Sequence, residues 1–305
     1  ALFLAFSSPA TAQTSAFSRA VAEAGAVNDA VSEFYAGRNY ATLWTGPQDA
    51  VRRHALVVAL TQAADQGLPG SRYDLAGLVS AAQNAVTEGD RGRLEVAMTQ
   101  AYLAYARDVN SGVLEPAKVD PGILREIIRP DSAVLLQDIA RTTSPDAYLR
   151  NLAPRAPEYA RLVKEKIRLE SLGGEPPMAI IAADKLSPGD RGAEVIALRD
   201  RLMALGYLGR SSTAVYDRQI QLAVQRFQLD QGLTADGVAG ESTIAMLNMT
   251  QQQRLEAVVV ALERLRWMGD APLGSRHIRV NQPDFTAKVV DDGQVVFKTR
   301  VVIGK

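Results

Sequence analysis

The sequence predicts a mainly α-helical protein that changes to β structure near its C-terminal end. Apolar residues recur every three to four positions through most of the chain, which is typical of amphipathic helices. From Arg276 onward apolar and polar residues alternate, which is typical of strands. Between these regions, residues 171–188 contain two adjacent glycines and three prolines. Such punctuation indicates a domain boundary.

The composition is that of a folded chain without net charge. Its 305 residues are 47% hydrophobic, enough to bury a sizeable core, and their number suggests two or three domains. Lys plus Arg and Asp plus Glu both number 34, so no overall field attracts nucleic acid or anionic lipid. Cysteine is absent, which excludes disulfides, cysteine metal sites and a thiolate nucleophile from these residues.

Residues 1–12, ALFLAFSSPATA, have the features of the end of a secretory signal peptide. A short apolar run precedes a Ser-Pro break and the small-x-small triplet that ends at Ala12, which suits signal peptidase. We therefore expect export and cleavage near Ala12. The run is much shorter than the roughly 20 residues of a membrane span. Because no initiator Met and no basic segment precede it, we expect the sequence to begin inside its signal peptide.

Residues 13–170 predict a helical scaffold domain. Its clearest segments carry apolar stripes that end at Gly67 and at Gly112. The first stripe comprises Leu56, Val57, Leu60 and Ala64, and the second comprises Leu94, Met98, Ala101, Tyr102 and Tyr105. Aromatic residues at helical spacing usually belong to a core. Residues 171–184 form the predicted linker to the next domain.

Residues 185–249 predict a bundle of three short helices. The first two helices end before Gly206 and Gly232, which suit the left-handed position that follows a helix. Asp236 and Gly237 form a predicted tight turn, and Gly240 leads into the third helix, ESTIAMLN. The inward residues are Val195, Leu198, Leu202 and Leu205, then Ile220, Ala223, Val224 and Phe227, then Ile244 and Leu247. About sixty residues is near the lower limit for an independent fold, so tight turns are a physical requirement.

Residues 250–274 predict a connecting helix that begins with a capping box, Thr250 and Gln253. Its apolar stripe needs a partner, and we expect the helical scaffold to supply it, because a small bundle has little spare apolar surface. The stripe comprises Leu255, Val258, Val259, Leu262 and Leu265.

Residues 275–305 predict strands, with a hairpin turn at Asp292 and Gly293. Two or three strands seldom stand alone in water. The chain also ends at Lys305, directly after an apolar strand. We therefore expect these residues to be the first strands of a larger β-rich domain whose remainder is missing.

Three segments between residues 186 and 248 resemble the peptidoglycan-binding module of the PG_binding_1 type. They are GDRGAEVIALRDRLMALGYL, YDRQIQLAVQRFQ and GLTADGVAGESTIAMLN, in this order and spacing. LERLRWMGD followed by RHIRVNQPDFTAKVVDDGQVVFKTRVVIGK is similar to the passage into the catalytic domain of YcbB-like L,D-transpeptidases. LWTGPQDAVRRHALVVALTQAADQGLPGSRYDL is similar to the helical scaffold of that family. The resemblance covers most of residues 27–305.

The resemblance implies a periplasmic or envelope enzyme of peptidoglycan cross-linking. In that family a YkuD domain uses a Cys nucleophile and a His base, within a Ser-x-Gly-Cys type motif, to form 3→3 links between stem peptides through a thioester. That motif is absent here, so the resemblance implies no catalytic residue, cofactor or metal in these 305 residues, and an inactive fragment. His277 stands where the family tends to carry an aromatic residue and is interpreted as a surface or packing residue. His54 is interpreted as solvated.

The resemblance implies glycan strands and stem peptides as partners. The zero net charge argues against nucleic acid as a partner, and no strong membrane partner is expected beyond the export signal. The candidate contacts are Tyr207, Arg226, Gln228 and Asp236, whose polar and aromatic groups can meet sugar hydroxyls and peptide carbonyls. Each has a structural alternative. Tyr207 can cover a helix end, and Asp236 can bond the turn backbone. Arg226 and Gln228 flank Phe227 on the predicted outer face of the second helix, where they can simply be solvated.

Other functions remain open at this point. Three short helices can form a DNA-binding helix-turn-helix unit, but residues 185–250 contain seven basic and seven acidic residues, a poor match to phosphate. The wall module can also belong to a non-catalytic adaptor or target a wall hydrolase. Such hydrolases usually carry zinc ligands, and two isolated histidines give no cluster.

Overall fold

The computed structural model describes residues 15–173, 178–269, 273–281 and 285–302. The predicted signal peptide at residues 1–12 lies outside them, as does part of the predicted linker. The chain divides into two compact units. Of the described residues, the first unit contains 15–167 and 258–269, and the second contains 168–173, 178–257, 273–281 and 285–302. Within the described ranges, every helix falls short of the length and apolarity needed to cross a bilayer.

The first unit is helical, as predicted. Its helices are α1 (Ala16–Gly25), α2 (Asp29–Gly37), α3 (Ala50–Thr61), α4 (Leu75–Asn84), α5 (Glu88–Ser111), α6 (Pro116–Val119), α7 (Ser132–Arg141), α8 (Pro145–Arg150) and α9 (Pro157–Ser171), the last of which runs into the second unit. Helix α5 is central, since it packs against α1, α4 and α7. Its predicted stripe is buried throughout.

Helix α5 begins and ends as its sequence dictates. Thr87 and Asp90 form a reciprocal capping box at the start. At the end Gly112 has a φ of +89°, and a Cβ there would lie 2.6 Å from Glu263 Oε1. Both the left-handed backbone and the close approach therefore require glycine at this stop.

Helix α3 is rotated relative to its predicted stripe. Leu56 and Leu60 are buried, but Val57 is only half-buried and Ala64 is exposed. Ala55 and Ala59 are buried instead. These small side chains allow a close approach to α8, the main packing partner of α3. Apolarity alone predicts that the larger Val57 is more buried than the alanines. Close packing against α8 instead buries the alanines more completely.

The second unit contains the three predicted short helices. They are α10 (Ala193–Ala204), α11 (Arg218–Asp230) and α12 (Glu241–Asn248). The predicted inward residues are buried, except that Leu205 is half-buried at the end of α10. Asp217 caps α11, because its side chain accepts hydrogen bonds from the backbone N–H groups of Gln219 and Ile220.

Helix α13 (Gln251–Met268) follows, and its residues from 258 onward belong to the helical unit. The predicted apolar stripe is only partly correct for this helix. Leu262 is fully buried, whereas Val258, Val259 and Leu265 are half-buried. Glu263, Arg266 and Trp267 are buried beside it. Charged residues can occupy this face because they bond to each other and to the helical unit.

The β segment is a three-stranded antiparallel sheet in the order β1-β2-β3. Its strands are β1 (Arg276–Asn281), β2 (Thr286–Asp291) and β3 (Gln294–Arg300). The predicted hairpin turn is confirmed, since Asp292 and Gly293 have φ values of +46° and +78° between the paired residues Asp291 and Gln294. Positive φ at both positions is the requirement of a two-residue type I′ hairpin.

Candidate functional site

The segment between α11 and α12 is organised by the side chain of Gln228. This side chain is only 2% exposed. Its Nε2, which carries two hydrogens, lies 3.0, 2.9 and 3.2 Å from the acceptors Asp236 Oδ1, Val238 O and Thr243 Oγ1, so one hydrogen is shared between two of them. Its Oε1 accepts a hydrogen bond from Gly237 N at 2.9 Å. A side-chain amide thus supplies the donors and the acceptor that a neighbouring strand would otherwise provide.

The placement of Gln228 on the outer face of α11 was wrong. Helical spacing put it beside Phe227, and both side chains are buried. The amide can be buried because its donors and acceptor are bonded to the turn, which removes the cost of taking them out of water. Gln228 is therefore placed to position the turn rather than to reach a ligand.

Asp236 lies in the turn that Gln228 supports. Its Oδ1 accepts hydrogen bonds from Gln228 Nε2 at 3.0 Å and from Val238 N at 2.9 Å. The bond from the Val238 N–H, with a smaller contribution from Gln228, lowers the pKa of this carboxyl group. Asp236 remains exposed. It thus holds the turn backbone and presents a carboxylate to solvent.

Gly237 allows the turn to approach α11 closely. Its φ is +71°, and a Cβ at this position would lie 2.7 Å from Gln221 Cγ and 3.0 Å from Gln225 Cγ. Any side chain would meet both the left-handed strain and this contact. The other predicted turn glycines lie at helix ends. Gly206 and Gly232, with φ values of +79° and +71°, follow α10 and α11, while Gly240, with a φ of −83°, is the N-cap of α12.

Tyr207 packs on the core of the bundle and stays partly exposed. Its ring meets Phe227 edge to face, with centroids 5.2 Å apart. Burial, followed by a hydrogen bond with Asp230, raises the pKa of the phenol. The phenol therefore remains neutral at physiological pH and can exchange hydrogen bonds at the surface.

Arg226 points away from residues 231–240, the segment that Gln228 supports and that is called the Gln228 turn below. Two residues along an α-helix advance about 200° around its axis, so Arg226 and Gln228 lie on nearly opposite sides of α11. Arg226 is exposed, and the exposed residues Leu222 and Leu229 stand four before and three after it. The structure thus brings together Gln228 and Asp236, places Tyr207 over Phe227, and separates Arg226 from them.

Tyr216 is a residue of this turn that the sequence reasoning missed. It is buried, and its hydroxyl donates a hydrogen bond to Gly237 O at 2.9 Å. Burial is the main reason that its pKa is raised. It directly precedes the Asp217 N-cap of α11, a position where an apolar residue often packs against the first helical turn. That position was the signal available in the sequence.

The two histidines stand apart from this turn. His54 is exposed on α3. His277 is half-buried at the start of the sheet, where its Nδ1 lies 3.1 Å from Gly274 O.

The helical unit has a cleft of its own with a volume of about 480 Å³. Its walls are mainly apolar and include Val58, Tyr105, Leu149, Tyr159 and Val163. None of the predicted contact residues lines it.

Comparison with known families gives two matches. The Scaffold domain family matches residues 29–165, and the PG_binding_1 family of peptidoglycan binding domains matches residues 191–247. The second match contains α10, α11, the Gln228 turn and all but the last residue of α12. A search of the curated proteins finds no match. Together, the two domains support a peptidoglycan-associated protein with a cell-wall-associated location.

Proposed function

We propose that this chain is the scaffold and peptidoglycan-binding portion of an L,D-transpeptidase that forms 3→3 cross-links in the cell envelope. The observation that carries the proposal is the order of parts in one chain. A Scaffold domain match precedes a PG_binding_1 match, and a three-stranded sheet follows them. The proposed continuation into a YkuD domain rests on the sequence resemblance described above. Periplasmic location, export and the specific partners, glycan strands and stem peptides, are parts of the same proposal.

Tyr207 and Asp236 are the proposed contact residues of the bundle. Tyr207 offers a partly exposed aromatic ring with a neutral hydroxyl, and Asp236 offers an exposed carboxylate on a fixed turn. Sugar rings stack on aromatic faces, while carboxylates accept hydrogen bonds from sugar hydroxyls and amide N–H groups. Gln228 holds the turn in place, and Arg226 serves as a more distant electrostatic contact.

The bundle would raise the local concentration of substrate without supplying a catalytic group. A shallow surface contact binds weakly, but a polymer offers many copies of the same site. When a weak binding module is linked to an enzyme and holds the polymer, the binding of the polymer by the enzyme becomes an intramolecular event. The 305 residues contain no cysteine, so the proposed thioester chemistry requires a nucleophile outside them. That absence also keeps a non-catalytic wall adaptor, or the targeting part of a wall hydrolase, as the second candidate.

Co-sedimentation with purified sacculi tests the proposal. We expect the chain to sediment with sacculi, and Tyr207→Ala with Asp236→Asn to reduce the bound fraction about threefold to tenfold, as for the loss of one stacking contact and one hydrogen bond. Asp184→Asn with Leu222→Ala is the matched control, because it also removes one carboxylate and one large uncharged side chain at exposed positions of the same unit. Equal binding by the two double variants would refute the proposed surface. No sedimentation of the unsubstituted chain would refute peptidoglycan binding itself.

A further inference from the structure

One face of the three-stranded sheet carries a row of positive charges. Alternate residues of a strand share a face, and directly paired residues share it across strands. Arg279 pairs with Lys288 in the β1–β2 register, and Lys288 pairs with Lys298 in the β2–β3 register. Three cations therefore stand side by side across all three strands. Arg300, two residues beyond Lys298, lies on the same face, and the name cationic row is used below for these four residues.

The row is unfavourable for the sheet itself. Like charges directly opposite each other on neighbouring strands destabilise a sheet, because their Cβ atoms are only about 5 Å apart. Lys298 and Arg300 are exposed, and Lys288 on the central strand is half-buried. Within the three described strands the only carboxylate is Asp291, which belongs to the other face and pairs with Arg276. The strands thus concentrate positive charge on one side without an acidic residue between the charges.

The row adjoins the peptidoglycan-binding bundle within the second unit. Arg300 Nη1 donates a hydrogen bond of 3.4 Å to Thr234 Oγ1. Thr234 lies between Gly232 and Asp236, in the segment that Gln228 organises. A single peptidoglycan polymer bound at the Gln228 turn can therefore also contact the sheet within this unit.

We propose that the cationic row is a second wall-binding surface. It binds the carboxylates of peptidoglycan stem peptides next to the glycan strand that the bundle binds. This proposal rests on the proposed function. Stem peptides carry carboxylates on a polymer of regular repeat, which suits several cations in a line. Each exposed ion pair is weak alone, but several on one polymer act together. Arg279 has an interaction within the chain, so Lys288 and Lys298 are the charges to test.

The test uses the full 305-residue chain and three kinds of sacculi: untreated, with carboxyl groups converted to neutral amides, and stripped of attached phosphate polymers. The charge-row variant is Lys288→Gln with Lys298→Gln. The matched control is Arg276→Gln with Arg210→Gln, which also removes two positive charges, but at positions outside this face. Arg276 belongs to the opposite face of the sheet, and Arg210 lies outside the strands.

We expect the charge-row variant to bind untreated sacculi about threefold to tenfold more weakly than the control, with a smaller dependence on salt. Conversion of the carboxyl groups of the sacculi to amides should weaken binding of the unsubstituted chain by the same factor. It should leave binding of the charge-row variant unchanged. The melting temperature of the variant should be equal or higher, since a repulsion is removed. A lower melting temperature together with weaker binding would overturn the proposal by showing that the row is structural.

Other outcomes separate the two proposals. Sacculi binding that is equal for the variant and its control would overturn the second surface and leave the bundle intact as a binding module. Binding that survives amide conversion but disappears with the phosphate polymers would also overturn it, because the ligand would then be a different polymer. No binding by the unsubstituted chain would overturn both proposals.

Discussion

Gln228 and Gly237 are joined by a hydrogen bond from the Gly237 N–H to the Gln228 side-chain carbonyl, at 2.9 Å. The two hydrogens of the same amide group are shared among three acceptors, Asp236, Val238 and Thr243. Residues 231–240 contain neither a helix nor a strand, and their isolated bridge pairs Ala239 with Leu186, leaving the Gly237 N–H to the Gln228 amide. One buried side chain therefore fixes the shape of the segment on which the proposed contact surface depends.

Gln228→Ala should destabilise the second unit by about 2–3 kcal/mol, because it leaves the buried Gly237 N–H and Val238 carbonyl without this partner. Urea denaturation followed by circular dichroism measures the change. Gln225→Ala is the control, since Gln225 is half-buried on the same helix. A loss that matches the control would show that the amide network adds nothing to stability.

Gly237→Ala should destabilise the bundle by at least about 1 kcal/mol, from the left-handed backbone alone. The added Cβ would also press on Gln221 and Gln225. Gly206→Ala provides the comparison, because Gly206 also has a positive φ but has no atom within 4 Å of its added Cβ. The difference between the two melting temperatures isolates the steric contact. Equal shifts would contradict the close approach at Gly237.

Glu95→Gln should destabilise the helical unit by at least about 1.5–3 kcal/mol, the range for the loss of one hydrogen bond to a charged group. The Glu95 carboxylate is completely buried and accepts hydrogen bonds from the backbone of residues 43–45, the Thr45 hydroxyl and the Tyr35 hydroxyl. An amide would turn two N–H donors toward this set of donors. Chemical denaturation measures the loss of unfolding free energy, with Glu126→Gln at an exposed position as the control. Similar denaturation midpoints for the two variants would contradict a stabilising role of the buried carboxylate.

Arg266→Met should destabilise the helical unit strongly, by about 3–5 kcal/mol, because it leaves the Glu263 carboxylate buried without its cation. Arg266 also donates to Tyr159 and to the Gln66 carbonyl. Adding Glu263→Gln to this variant removes the stranded charge and should recover part of the loss. A double-mutant cycle by thermal unfolding tests this coupling. Additive losses would mean that the two residues act independently.

Asp90 should titrate with a pKa of about 2 in the folded chain, because hydrogen bonds from Thr87, followed by Arg93, hold its carboxyl group ionised. Since this folded pKa lies below the ordinary 3.8, its stabilising effect is present above that value and is lost as the pH falls toward about 2. An NMR titration of the Asp90 side chain measures the pKa directly. Asp90→Asn should flatten the corresponding part of the acid unfolding profile, and a titration midpoint near 4 would contradict the capping geometry.

The regular parts of the fold were predictable because local patterns determine them. The buried stripe of α5 follows from helical periodicity, and the Asp292–Gly293 hairpin follows from the two positive φ values that its turn needs. Gln228 and Arg266 were not predictable by these rules. Each is a polar residue buried by partners distant in sequence, and a hydrophobic pattern contains no information about those partners.

The candidate site was predictable only in outline. The family resemblance selected the region of the Gln228 turn and named Asp236 and Tyr207, which the structure leaves accessible. It also named Gln228, whose amide is enclosed, and it omitted Tyr216, whose hydroxyl bonds the turn. Which polar side chain faces a ligand depends on the direction of the loop, and short-range spacing does not determine that direction.

The most direct test of the central claim is to follow the backbone amide NMR signals of the chain while soluble peptidoglycan strands are added. Peptidoglycan binding by the bundle predicts the largest shifts in Tyr207, Asp236, Gly237 and Val238, smaller shifts near Arg226 and little change in residues 29–165. Shifts confined to residues 29–165, or no shifts at all at saturating strand concentration, would contradict the account.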